Sequence, residues 1–174
     1  TDVDSMRGIE GAAATAYFAR FDSMLEGNPG GFQFGIRSRR PPRNEVNAAL
    51  SFTYMLLTSQ MQSAMETVGL DPAAGYLHTL RPGRASFALD LIEELRAPLC
   101  DRFVLSLFNK GQLSTGDFDR SEEAVLLNDR GRRTLITAWQ KRKQEEIVHP
   151  FLGERIPIGM IPYAQAMLFA RVLR

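Results

Sequence analysis

The stretch NEVNAALSFTYMLLTSQMQSAMETVG, residues 44–69, decides the fold. It holds no proline and no internal glycine, and it opens on an asparagine and closes on a glycine. Asn44 is therefore expected to cap a long helix running through Val68, with Gly69 as its stop. Val46, Leu50, Phe52, Tyr54, Leu56, Leu57 and Met61 crowd this helix on several faces. A helix apolar on several faces belongs at the centre of a core.

On the N-terminal side, a helix is expected from about Ser5 to Leu25, ended by Gly27-Asn28-Pro29-Gly30-Gly31. Its alanines 12, 13, 14 and 16 favour helix and allow a neighbour to come close. On the C-terminal side, Asp71-Pro72 reads as the start of a short helix carrying Tyr76, Leu77 and His78. The turn Arg81-Pro82-Gly83-Arg84 follows. Ser86 then caps a helix from Phe87 to Arg96, which Pro98 kinks or restarts as far as Asn109. Leu113–Asn128 reads as a small β-hairpin, Arg130–Ile147 as a charged helix, and Pro157–Arg174 as a more apolar closing helix. The expected fold is mainly α: one helical domain over residues 1–174 with a small β-hairpin insertion.

Bulk properties narrow the function less than the pattern does. A chain of 174 residues supports one well-buried core. The net charge of +1 is no argument for nucleic-acid binding, so that case must come from local clusters. Cys100 is the single cysteine, which excludes an internal disulfide and a thiolate metal cluster and fits a reducing cytosol. No apolar run reaches the ~18 residues of a membrane span. The sequence opens on Thr1 and ends at Arg174 within a helical pattern, which reads as a fragment of something longer.

Chemistry concentrates in a few places. In Asp90-Leu91-Ile92-Glu93-Glu94 the first and fourth residues share a helix face, while Glu94 points to solvent. Two carboxylates on one face suit a hard divalent cation such as Mg²⁺ or Mn²⁺. Taken alone, the commoner reading is a solvated acidic stripe paired with Arg96 or Arg84. His78 suits Mn²⁺ as a ligand or serves as a proton carrier, although a lone histidine is more often simply packed. His149, before Pro150, reads as structural. Glu10 is flanked by Gly8 and Gly11, and two helix glycines around an acid suggest close approach of a backbone or substrate. A plain helix–helix crossing explains them equally well. Arg37, Arg39, Arg40 and Arg43 cluster in a proline-held loop, and Arg81 and Arg84 flank a turn between His78 and Asp90. Such arginines hold phosphates without reading sequence. The charged helix is a second basic surface, read as a solvated face because of Glu145 and Glu146.

Met6–Ala14, Arg37–Tyr54, Gly69–Pro72, Gly75–His78 and Arg81–Arg96, taken as a set and in that order, closely resemble the CRISPR-associated integrase-nuclease family. That resemblance implies the family's C-terminal helical catalytic domain, without the N-terminal β-rich domain that builds its homodimer. It implies a Mg²⁺ or Mn²⁺ site made by Glu10, His78 and Glu93, with Asp90 beside it as an outer residue or alternate ligand. It places Tyr54 near the active site for substrate positioning, and Arg84 and Arg81 close to the reacting strand; Arg37, Arg39, Arg40 and Arg43 are DNA-binding candidates on their clustering alone. The implied activity is that of a cytoplasmic endonuclease and integrase of spacer acquisition. Its expected partners are double-stranded DNA (a donor fragment and the CRISPR repeat), a small CRISPR-associated adaptation dimer and a RecB-like nuclease, with no membrane. The alternatives are a casposon-type transposon integrase and a non-catalytic DNA-binding scaffold of the same fold.

Overall fold

The computed structural model describes residues 2–78 and 81–173. Six α-helices and two small antiparallel hairpins make up its regular structure: α1 (Val3–Phe18), α2 (Glu45–Thr67), α3 (Ser86–Leu95), α4 (Arg102–Asn109), β1 (Phe118–Arg120), β2 (Val125–Leu127), α5 (Asp129–Gln144), β3 (Glu146–Val148), β4 (Arg155–Pro157) and α6 (Ile161–Val172). The mainly helical fold with a hairpin at residues 118–127 is as the sequence led one to expect. Phe118 pairs with Leu127 and Arg120 with Val125. The second hairpin, Glu146–Val148 with Arg155–Pro157, was not foreseen.

The chain divides into two compact units, Thr1–Thr53 with Leu99–Leu135, and Tyr54–Pro98 with Ile136–Arg174. In the first, the N-terminal half of α2 buries Val46, Ala49 and Leu50 completely. Asn44 does cap it: its side-chain oxygen accepts from Asn47 N at 2.9 Å. Around α2 lies an aromatic cluster in which Phe18 stacks on Phe34 at 5.4 Å and Phe21 meets Phe34 at 4.6 Å. Phe32 and Phe118 both pack on Phe108. The Asp22 carboxylate accepts from the backbone of Phe34 and Gly35, which fastens the start of the arginine loop.

Helix α1 departs from expectation at both ends. Its cap is Asp2, which accepts from Ser5 N at 2.7 Å, and it stops at Phe18, followed by a separate 3₁₀ turn at Asp22–Met24. None of its residues is buried. Tyr17 holds its C-terminal end by hydrogen-bonding the buried Asp101 carboxylate; burial first, then the Asp101 charge, push the Tyr17 hydroxyl well above its ordinary range.

In the second unit, Leu57, Met61 and Met65 of α2 are buried, as are Ile92 of α3, Trp139 of α5 and Ala166 of α6. Phe87 of α3 meets Phe169 of α6 edge-on at 5.0 Å. The short helix expected from Asp71-Pro72 is absent; residues 71–78 form turns. Asp71 caps only Ala73 N, and the Pro72 carbonyl is taken by Phe87 N and Ala88 N. Those are orphan donors in the first turn of α3, so the segment serves another helix instead of forming its own. For the same reason α3 begins without a side-chain cap, and Ser86 is its first helical residue instead of its cap. Past Leu95 the chain widens into a π-turn over Arg96–Asp101, the form taken by the break expected at Pro98. Gly83, at φ +71°, is the third residue of the Arg81–Arg84 turn and lets Arg84 N reach Arg81 O at 3.1 Å.

Candidate active site

The second unit brings His78, Asp90, Glu93, Arg96 and Tyr54 together. Asp90 and Glu93 are one turn apart on α3, so their carboxylates lie on one face. Asp90 accepts four hydrogen bonds from the incoming loop: from Tyr76 N at 2.6 Å, Leu77 N at 2.9 Å and His78 N at 2.9 Å, and a fourth contact at 2.5 Å with His78 Nδ1. Burial opposes ionisation, but the His78 ring and the three backbone N–H groups outweigh it and hold the Asp90 carboxyl below its ordinary value. An ionised Asp90 requires Nδ1 to carry the ring proton. The other ring nitrogen, Nε2, lies 3.9 Å from Glu93 Oε1.

This pair suits a hard or borderline cation. Two ligands of one Mg²⁺ stand at ~2.1 Å each, and 3.9 Å is less than twice that bond. An imidazole steered through its other nitrogen by a carboxylate is a recurrent feature of metal-binding histidines. Among the described residues no ready-made group of three His, Cys, Asp or Glu side chains is gathered for a metal. Glu10 belongs to the first unit, exposed on α1, and a Cβ built on either Gly8 or Gly11 meets nothing within 4 Å. Neither glycine is therefore explained by packing against the described chain.

Glu93 is also paired with Arg96, whose Nη1 is 2.7 Å from Oε1. The Arg96 guanidinium lies over the Tyr54 ring, 5.2 Å from its centroid. The ion pair itself was one reading of the sequence; the stacking on Tyr54 was not, although the i,i+3 spacing of Glu93 and Arg96 hinted at a shared neighbourhood. Glu94 is exposed as expected and accepts from Gln165 at 2.6 Å. His149 is buried, and its Nδ1 accepts from the backbone of Phe151 and Leu152, a structural pin in the second hairpin.

The basic residues fall into two kinds. Arg37 is turned onto α2, donating to Asn47 Oδ1 at 2.8 Å and Ser51 Oγ at 3.2 Å. Arg39, Arg40, Arg43 and Arg81 are exposed, and Arg84 is half-buried. Within the first unit, Gly11, Ala14, Thr15 and Phe18 of α1, with Ala19 just after it, line a groove of about 510 Å³ together with Gly35–Arg37 and Arg39. Its lining combines the cationic Arg37 and Arg39 with small side chains at Gly11, Ala14, Thr15 and Ala19.

The second unit thus sets a histidine held by one carboxylate beside a second acid on an α-helical scaffold. The chain belongs to the CRISPR-associated Cas1 family, whose profile, CRISPR associated protein Cas1, matches residues 1–141. It is 55% identical over its whole length to a protein of Chlorobaculum tepidum named CRISPR-associated endonuclease Cas1 1, of which it covers 51%. It is 41% identical to a Geobacter sulfurreducens protein named as a CRISPR-associated exonuclease Cas4/endonuclease Cas1 fusion, covering 98% of this chain and 31% of that one. Among solved structures, a casposase bound to its integration product superposes with a TM-score of 0.86 at 25% identity, covering 99% of this chain and 50% of that one. The chain thus spans about half the length of the Chlorobaculum relative.

Proposed function

We propose that this chain is the catalytic half of a Cas1-type integrase-nuclease that inserts DNA into CRISPR arrays. One observation carries this reading: His78 Nε2, steered by Asp90, faces Glu93 Oε1 at 3.9 Å on a Cas1-family scaffold. Glu10, His78 and Glu93 are the proposed ligands of Mg²⁺ or Mn²⁺. The bound cation supplies a Lewis acid at a phosphodiester and eases loss of a proton from a hydroxyl.

The chain's own residues do the rest. Asp90 fixes the tautomer and plane of the His78 ring, so that Nε2 is the nitrogen offered. Glu93 brings a negative oxygen to the same place. Arg81 and Arg84, with Tyr54 near the reacting strand, position it, while Arg37, Arg39, Arg40 and Arg43 hold phosphates farther along the DNA. Because Arg37 is already engaged with α2, the exposed Arg39, Arg40 and Arg43 carry more of that task. In strand transfer, the 3′-hydroxyl of a donor fragment loses its proton and bonds to phosphorus at the edge of a repeat. The repeat's own 3′-oxygen leaves and takes up a proton. With water as nucleophile the same site is a nuclease.

The proposed setting is the cytoplasm, as a homodimer through the N-terminal domain of the family, with a small adaptation dimer. The Cas4–Cas1 fusion supports a RecB-like nuclease as a further partner. No helix among the described residues is long and apolar enough to cross a membrane. The casposase likeness supports a second reading, insertion of a transposon end. Offering the intact protein a CRISPR repeat and a casposon target in parallel separates the two. A non-catalytic scaffold would show no Mn²⁺ uptake by calorimetry. For the main reading, Glu10→Ala, His78→Ala and Glu93→Ala in the intact protein each abolish metal-dependent strand transfer while leaving the thermal melt cooperative. Full activity in any of the three refutes the ligand set.

A further inference from the structure

The atom of Glu93 that faces His78 Nε2 is also the atom that Arg96 holds. Oε1 lies 3.9 Å from the imidazole nitrogen and 2.7 Å from Arg96 Nη1. A divalent cation and a guanidinium cannot both sit on that oxygen without like-charge repulsion at short range. Both side chains are sheltered, Arg96 at 17% and Glu93 at 24% exposure, so water screens the competition only in part. The Arg96 guanidinium already rests over the Tyr54 ring while it pairs with Glu93, and that attraction persists when the carboxylate is taken away.

We propose that Arg96 is a latch on Glu93: it occupies the metal-facing carboxylate oxygen in the resting protein, lowers affinity for the cation, and turns to a DNA phosphate once the cation enters. The proposal rests on the reading of His78 and Glu93 as ligands and adds to it a regulation of the same site. It gives Tyr54 a defined task, as the face along which Arg96 moves. The latch lies where α3 passes into the π-turn that begins at Arg96, a widened turn of the kind found at functional positions. A phosphate that draws Arg96 away frees Glu93, and a cation on Glu93 frees Arg96. DNA and metal therefore bind with positive coupling, which is reciprocal by linkage.

The test is Mn²⁺ binding to the intact protein, by calorimetry or by loss of the free-ion electron-spin-resonance signal, with and without a short DNA duplex. Arg96→Met keeps much of the apolar stem and removes the charge. It is expected to bind Mn²⁺ about fivefold more tightly than wild type, the worth of a modest ion pair, and to lose the tightening that DNA produces in the wild type. Arg96→Lys keeps the charge but not the planar fork, and falls between the two; it also covers the case in which Arg96→Met does not fold. Mn²⁺ binding that is His78-dependent yet unchanged or weakened in Arg96→Met, or in Arg96→Lys should only that variant fold, overturns the latch alone. Binding that survives His78→Ala overturns the ligand reading, and the latch with it.

Discussion

The loop Tyr76–His78 is fastened to a single carboxylate by four hydrogen bonds, whereas α1, which carries Glu10, has no buried residue along its length. Both regions carry proposed ligands, yet they are built in opposite ways. The loop has no regular structure of its own, so an acid on a neighbouring helix supplies the order. Helix α1 orders itself through its own backbone hydrogen bonds and is held at one end by Tyr17 and the Phe18–Phe21–Phe34 cluster. An imidazole that must present one chosen nitrogen needs outside steering. A glutamate on a helix is placed by the helix.

Breaking the loop's single fastening is expected to give the largest effect. Asp90→Asn keeps the shape but removes the charge that favours Nδ1–H, and Mn²⁺ affinity should fall by ~10–100-fold, as for other residues that steer metal-binding histidines. Calorimetry on the intact protein checks this, and an unchanged affinity would mean the four bonds only shape the loop. The acid limb of stability gives a second readout. Because the folded Asp90 carboxyl lies below its ordinary value, its stabilisation is complete above the unfolded value of ~3.9 and disappears as pH falls through the lower folded value. Asp90→Asn should flatten that limb in chemical-denaturation curves between pH 2 and 5, windows chosen from ~3.9 downward and just above it.

The contrast between the two regions also explains what was legible beforehand. Asn44 and Gly69 bracket α2 because caps act locally, within four residues, and the sequence displays both partners. The shared face of Asp90 and Glu93 follows from helix periodicity alone. Asp90's steering role does not, since its partners lie 12 to 14 residues away and meet it only after α3 has folded. Asp71-Pro72 misled for a related reason: a cap followed by proline is a local signal for a helix, but the Pro72 carbonyl answers the distant demand of α3 for acceptors. The second hairpin went unread because its strands offer little beyond Ile147 and Ile156 as an apolar pair, set among charges. Gly8 and Gly11 drew notice to Glu10, and only the resemblance gave it a ligand's role.

A smaller effect is expected at the anchor of α1. Tyr17→Phe deletes the hydroxyl that donates to Asp101 and leaves a buried carboxylate with one partner fewer. The cost is about 1–2 kcal/mol, read in urea unfolding. If α1 is placed mainly by this anchor, strand transfer falls further than the stability loss explains, because α1 also carries Glu10. Equal losses would mean the anchor contributes to the core and nothing more.

The smallest effect sharpens the comparison most, because it separates helix order from contact. At Gly8 and Gly11 an added Cβ meets nothing in the described chain, so Gly8→Ala and Gly11→Ala carry no steric cost there. Each gains up to ~1 kcal/mol of helix propensity. The gain should appear as slower amide exchange in the first turns of α1, by about fivefold per ~1 kcal/mol, with little change in the global melt, since that part of the helix is free to fray by itself. If the glycines serve no function, strand transfer stays the same or rises as exchange slows. If a DNA backbone comes close to Glu10 along that bare face, the added methyl groups lower activity even as the helix becomes more ordered. Protection and activity moving in opposite directions would identify the glycines as a passage for substrate; their moving together would leave α1 as an ordinary helix that happens to carry an acid.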